Sequence, residues 1–186
     1  GILLPHLAVN VSARQFRQKE FVAKVRSILR ETGIAPQCLE FEINERLLID
    51  AKNDVAGMLD EIHALGITLG LDDFGTGYSS LAYLKRFPMR TVKIDRSFIT
   101  DLGAADGSGA IAAAIIAMAH ALQRRVVAEG VETERQAAIL ARLGCDHLQG
   151  YFYSPPLTVP RLAEFVNRVA SEAPRRIASR KLAARR

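Results

Sequence analysis

A short β-rich run, a turn and an amphipathic helix recur six times along this chain, and no other feature constrains the fold as much. Such a repeat specifies parallel strands joined by right-handed helical crossovers. The runs are residues 7–11, 39–43, 67–71, 91–94, 125–128 and the weak 147–149. The helices expected after them cover about 13–32, 51–65 and 80–86, then segments ending near 122 and 143, and one from about 160. Ser12 with Gln15, and Thr133 with Gln136, have capping-box spacing that starts the first and fifth helices.

Two architectures accept this pattern. An open doubly wound sheet closes its count at six strands, but its Gly-rich phosphate turn after the first strand is missing; Val11-Ser12-Ala13-Arg14 stands there. A closed (β/α)8 barrel needs eight units and typically about 250 residues. The chain has 186 residues. The expectation is therefore an α/β, TIM-like barrel with about six of its eight units present and its front missing. Gly1 in place of a methionine points the same way, to a piece of a longer product.

Polar residues sit at the downstream end of every run: Asn10, Glu42, Asp72 with Asp73, Lys93, Glu129 and Gln149. In a parallel barrel these ends share one face, and that face holds the active site. One Glu or Asn at a strand end is ordinarily a cap or a turn residue. Six consecutive strand ends are a different matter. Gathering four carboxylates costs several kcal/mol, on the order expected for uncompensated charge, unless cations offset it. Oxygen ligands suit Mg2+ or Mn2+ better than Zn2+, and the four histidines show no ligand spacing. Adjacent aspartates can bridge two metals, and Lys93 adds positive charge beside a nucleophile. The residues alone read as a metal-dependent phosphoester hydrolase.

The remaining features are bland. Cys38 and Cys145 form no CxxC pair and read as reduced structural thiols, and His6, His63 and His120 read as structural rather than functional. No charged and apolar leader opens the chain, and the stretch Gly109–Ala119 is too short to span a bilayer, which takes roughly 20 apolar residues; it reads as a buried helix. The net charge is +5, but residues 173–186 hold six basic residues and no acid, so the rest carries −1. Residues 173–186 read as a basic, solvated tail behind one domain over 1–172. No specific nucleic-acid or membrane partner is indicated, and the expected location is the cytoplasm, with tethering only through regions upstream.

These residues resemble a known family. Val9-Asn10-Val11-Ser12, Glu42-Ile43-Asn44-Glu45, Asp72-Asp73-Phe74-Gly75-Thr76-Gly77-Tyr78-Ser79-Ser80-Leu81, Lys93-Ile94-Asp95, Ala128-Glu129-Gly130-Val131-Glu132 and Gln149-Gly150-Tyr151 look like the ordered motifs of EAL-domain cyclic di-GMP phosphodiesterases. The match covers about residues 6–160. It implies a barrel that hydrolyses cyclic di-GMP to linear pGpG with two Mg2+ or Mn2+ ions. By the resemblance, Asn10, Glu42, Asp72, Asp73 and Glu129 are metal ligands. Lys93 positions the attacking water, with Glu129 and Gln149 beside it in catalysis. Glu45 braces the Asp72–Gly77 loop, which the family links to dimerisation. Glu132 and Tyr151 contact substrate.

The resemblance also implies a homodimer and an upstream sensory or GGDEF domain. Asn44 stands where threonine is usual and Arg46 where serine is common. The Glu-Ala-Leu motif, with its ligating Glu and phosphate-binding Arg, belongs upstream of Asn10, and no Glu-x-Leu occurs there. This chain alone is therefore expected to be weak or inactive. The alternatives are a catalytically inactive cyclic di-GMP-binding module and a non-functional fragment with two open sheet edges.

Overall fold

The computed structural model describes residues 6–169 apart from 17, 50–53, 77–80 and 104–107. The expected basic tail, the turn residues Gly77–Ser80 and the loop residues Asp106 and Gly107 lie outside the described residues, as does the side chain of Arg46. Residues 5–153 form one compact unit, and the described residues from 154 onward belong to a second. That second unit contains a helix over 159–169, begun by Leu162 N–H donating to Thr158 C=O at 2.8 Å, with the Arg168 guanidinium over the Phe165 ring. No helix among the described residues is long and apolar enough to cross a membrane.

The larger unit is built on six strands: β1 (Leu7–Asn10), β2 (Leu39–Asn44), β3 (Thr68–Phe74), β4 (Met89–Ile94), β5 (Arg125–Ala128) and β6 (His147–Leu148). They pair in sequence order, all parallel, in one sheet that curls into a half-barrel. The helices between them are α1 (Ala13–Phe16), α2 (Phe21–Thr32), α3 (Glu45–Ile49), α4 (Asp54–Ala64), α5 (Leu81–Arg86), α6 (Ser97–Thr100), α7 (Ser108–Ala121) and α8 (Glu134–Arg142). Six of the eight expected barrel units are thus present. β1 and β6 are its outer strands, and Leu7 and Val9 of β1 remain exposed.

Period-two alternation divides each strand between two environments. Phe41 and Ile43, Leu69 and Leu71, Val92 and Ile94, and Val126 and Ala128 are buried in the hydrophobic core. Fully burying each large apolar chain is worth about 1.5–3 kcal/mol. The intervening residues line the inner face of the curl: Glu40 and Glu42, Thr68, Gly70 and Asp72, Thr91 and Lys93, and Val127.

Both capping boxes form. Gln15 Oε1 accepts from Ser12 N–H while Ser12 Oγ accepts from Gln15 N–H, and Thr133 and Gln136 do the same at α8. Two expectations change. The helix expected over 13–32 is two helices, because Phe16 and Phe21 both join the core, their rings 5.3 Å apart. Five residues apart on one helix would point them about 140° from each other. Likewise α7 is not wholly buried. Ala112, Ile115, Ile116 and Ala119 face the core, while Ile111 and several alanines face outward.

Candidate active site

The inner face carries two polar layers. The lower one centres on Glu40, which is 5% exposed. Its Oε2 accepts from Thr91 Oγ1 at 2.7 Å; Thr68 Oγ1, which donates to Leu39 C=O at 2.9 Å, lies 3.4 Å away, as does His6 Nε2. Gly70 makes room for it, since a Cβ there would meet Glu40 Oε1 at 2.9 Å. A cavity of about 520 Å3 runs from this layer, past Arg90, Arg125 and His147, up to Glu42 and Gln149.

The upper layer lies at the downstream strand ends and gathers most of the residues singled out from the sequence. Lys93, 3% exposed, places Nζ 2.6 Å from Glu129, 2.8 Å from Glu42 and 3.3 Å from Asp72. Burial works to lower the Lys93 pKa, but the bonds to Glu129 and Glu42 and the charges of Glu129 and Asp72 outweigh it and hold the ammonium above the usual lysine range. Burial pushes the Glu129 carboxyl up. Lys93 opposes that shift, and the neighbouring Asp72 and Glu42 charges add to it.

Asp72 and Asp73 are consecutive, and on a regular strand their side chains would point to opposite faces. The β3–β4 register breaks here: Leu71 pairs with Val92, and Phe74 with Ile94, so β3 has one residue more than β4. This bulge, with Asp73 at φ 55°, re-aims the second carboxylate. One oxygen from each of Asp72, Asp73 and Glu129 comes to lie within 4.8 Å of the others, and all three residues are half-buried. Three carboxylates converging from two strand ends make an all-oxygen donor set suited to a hard divalent cation such as Mg2+ or Mn2+.

The bulge is pinned from several sides. Asp73 N–H donates to Asp72 Oδ1 at 3.1 Å, and Thr76 Oγ1 donates to Asp73 C=O at 2.9 Å. Asn44 Nδ2 donates to Asp73 Oδ2. Glu45, first residue of α3, is buried directly behind Asn44 in sequence. The distal part of the loop it was expected to brace lies outside the described residues.

Other expected residues stand at the rim. Asn10 ends β1 opposite Glu42 in register, and is exposed. Gln149 is exposed and held through its backbone: its N–H donates to Ala128 C=O and its C=O accepts from Val131 N–H. The close passage of these chains needs Gly150, whose added Cβ would sit 2.1 Å from the Val131 carbonyl oxygen. Glu132 and Tyr151 are exposed, Tyr151 at 68%. Three features had escaped sequence reasoning: the bulge, the Asn44 contact, and Asp95, which accepts from Ser97 N–H at the start of α6. The Lys93-Ile94-Asp95 spacing was a visible signal for Asp95; nothing in the sequence marks the bulge.

Comparison with known proteins places this geometry. The EAL domain family profile matches residues 3–156. The cyclic di-GMP phosphodiesterase NbdA of Pseudomonas aeruginosa is 45% identical over 160 residues, 86% of this chain and 20% of that protein. The solved PaMucR phosphodiesterase, in a c-di-GMP complex, superposes with a TM-score of 0.80 at 41% identity, covering 84% of this chain and 64% of that one. Klebsiella pneumoniae BlrP1, solved as a manganese/cy-diGMP complex, gives a TM-score of 0.75 at 30% identity over 81% of this chain and 39% of that one. The chain spans about a fifth of the length of the curated relatives it matches.

Proposed function

The chain belongs to the EAL domain family, and we propose that it supplies the catalytic face of a phosphodiesterase that hydrolyses cyclic di-GMP to linear pGpG. The observation that carries this reading is the upper layer: three carboxylates around one buried lysine, with Asp73 converging on two of them, at the downstream ends of parallel strands. A structure made only to fold would not concentrate charge of one sign there.

In this reading Asn10, Glu42, Asp72, Asp73 and Glu129 would hold two divalent cations, Mg2+ or Mn2+. Such ions supply Lewis acidity and lower the pKa of water. Lys93 keeps its proton and aims positive charge at the attacking water and the phosphoryl oxygens. A P–O bond forms to water and the P–O bond to one ribose 3′ oxygen breaks, leaving a 5′ phosphate on the linear product. Glu129 accepts from Lys93 and orients it, while Gln149 approaches the same site from β6. Glu45 supports the Asp73 loop. Glu132 and the exposed Tyr151 ring contact the substrate, the ring offering a face for a guanine base. A homodimer, an upstream sensory or GGDEF domain and a cytoplasmic site of action complete the proposal. The 64% coverage of the PaMucR chain and the multidomain length of the relatives support further segments in the working enzyme.

The test is conversion of cyclic di-GMP to pGpG with Mg2+ or Mn2+, by this chain and by one extended upstream by about 70 residues, the shortfall from a typical barrel. Metal-dependent turnover by the extended protein, reduced at least about 100-fold by Lys93→Ala, is expected. Tight binding of cyclic di-GMP without metal-dependent turnover would replace the enzyme with a binding module.

A further inference from the structure

We propose that Asn44 is a positioning residue that sets the cation affinity of the carboxylate cluster by fixing the bulged Asp73. This rests on the reading that Asp72, Asp73 and Glu129 bind a divalent cation.

Asn44 is the last residue of β2 and pairs in register with Asp72, one residue before the bulge. Its side chain therefore leaves the sheet edge beside the point where β3 departs from regular pleating. Asp73 occupies a left-handed backbone conformation, φ 55°, that a non-glycine residue adopts only when its surroundings enforce it. The backbone is enforced by Asp72 and Thr76. The carboxylate itself is oriented by the Asn44 amide.

The chemistry of that donor matters. Lys93 ties Glu42, Asp72 and Glu129 with a full positive charge, which reduces the negative potential offered to a cation. An amide N–H orients a carboxylate without neutralising it. Partners of this kind, one bond removed from a ligand, typically change metal affinity about 10–100-fold when removed. Threonine, the usual family residue here, carries a hydroxyl on a shorter stem, so Asn44 gives this chain its own way of holding Asp73.

Asn44 also borders open space. With Ser12, Leu47, Asp73 and Thr76 it lines an open cavity of about 400 Å3. Water can enter when the amide is removed, so Asp73 stays solvated but loses its fixed direction. Truncation is thus expected to separate metal affinity from fold stability, which a purely structural residue would not do.

The experiment measures Mn2+ binding by the electron paramagnetic resonance signal of free Mn2+, without substrate, on the chain and its Asn44→Ala and Asn44→Ser variants, with thermal unfolding in EDTA alongside. Asn44→Ala should bind Mn2+ about tenfold more weakly with an unfolding midpoint close to that of the unaltered chain. Asn44→Ser, keeping a shorter donor, should lie between them. Unchanged affinity in Asn44→Ala overturns the proposal while leaving the cation site intact. If Asn44→Ala does not fold, Asn44→Ser decides: weaker binding supports the proposal and equal binding overturns it. Failure of the unaltered chain to bind Mn2+ overturns the cation site and this proposal together.

Discussion

The two polar layers on the inner face are made by the same strands, two residues apart, yet they solve opposite problems. Below, one buried carboxylate, Glu40, accepts from the Thr91 hydroxyl at 2.7 Å, with Thr68 Oγ1 and His6 Nε2 each 3.4 Å away. Above, Glu42, Asp72 and Glu129 share one ammonium and Asp73 joins Asp72 and Glu129 without touching it, leaving a formal charge of −3 if all are ionised. The lower layer is closed: its acceptor finds donors within the protein, as buried polar groups ordinarily must. The upper layer is open and needs charge from outside. Same sheet, same pleat: the difference is the ratio of carboxylates to donors, and that ratio separates a closed layer from an open one.

The largest expected effect tests the open layer. Lys93→Met should leave buried carboxylates without their shared counter-charge and destabilise the chain by about 3–5 kcal/mol, measured by urea unfolding in EDTA. Added Mn2+ should restore part of that loss. A variant that unfolds at the unaltered urea midpoint in EDTA would show that the upper layer is not limited by charge, and would erase the contrast.

The next two changes probe the closed layer. Gly70→Ala puts a methyl 2.9 Å from Glu40 Oε1, so a well-held carboxylate must shift. A loss of about 1–3 kcal/mol follows, with Mn2+ affinity unchanged because the clash is with the lower layer only. A fall in Mn2+ affinity equal to that of an upper-layer variant would mean the layers are one coupled network. Glu40→Gln keeps an oxygen acceptor for Thr91 and removes the charge. Its cost should stay within about 1 kcal/mol in urea unfolding, the net worth of one neutral hydrogen bond. A larger loss would show that Glu40 matters as a charge.

The contrast between layers is partly legible in the sequence. Period-two alternation in Glu40-Phe41-Glu42-Ile43 and in Thr91-Val92-Lys93-Ile94 already assigns polar residues to one face, and the strand-helix repeat assigns that face to the inside of a curled parallel sheet. The strand-end residues follow from the same logic, and Glu42, Asp72, Lys93 and Glu129 do converge. The ending of α1 at Phe16 was not legible, because the residues after it are good helix formers and only the packing of Phe16 against Phe21, and of Phe21 against Phe41, forces the break. Nor was the bulge that brings Asp73 beside Asp72, which depends on how β4 pairs with β3 rather than on local propensity. Glu40 went unremarked because an isolated Glu early in a strand reads as solvent-facing until its two threonine partners, 28 and 51 residues away, are in place.

A third carboxylate, outside both layers, isolates burial as the variable. Asp146, just before β6, accepts from Val126 N–H at 2.8 Å and from His120 Nε2 at 2.9 Å, with about a third of its side chain exposed. Burial opposes its ionised form, but the His120 ring and the Val126 amide prevail and hold its carboxyl below the usual aspartate range. A depressed folded-state pKa means that the stabilisation is complete above the ordinary aspartate value of about 3.9 and disappears as pH falls through the folded value. Asp146→Asn should therefore cost no more than about 1 kcal/mol near neutrality, since solvent screens an exposed pair. The difference from the unaltered chain should begin to shrink below about pH 4 and go on falling as pH passes through the depressed folded value. Urea unfolding at pH 7 and at pH 3 reads both. A cost at pH 7 as large as that of Lys93→Met would show that hydrogen-bonded charge matters alike wherever it sits. The expected several-fold gap instead assigns the difference to desolvation, which Lys93 and Glu42 undergo far more fully than the Asp146 pair.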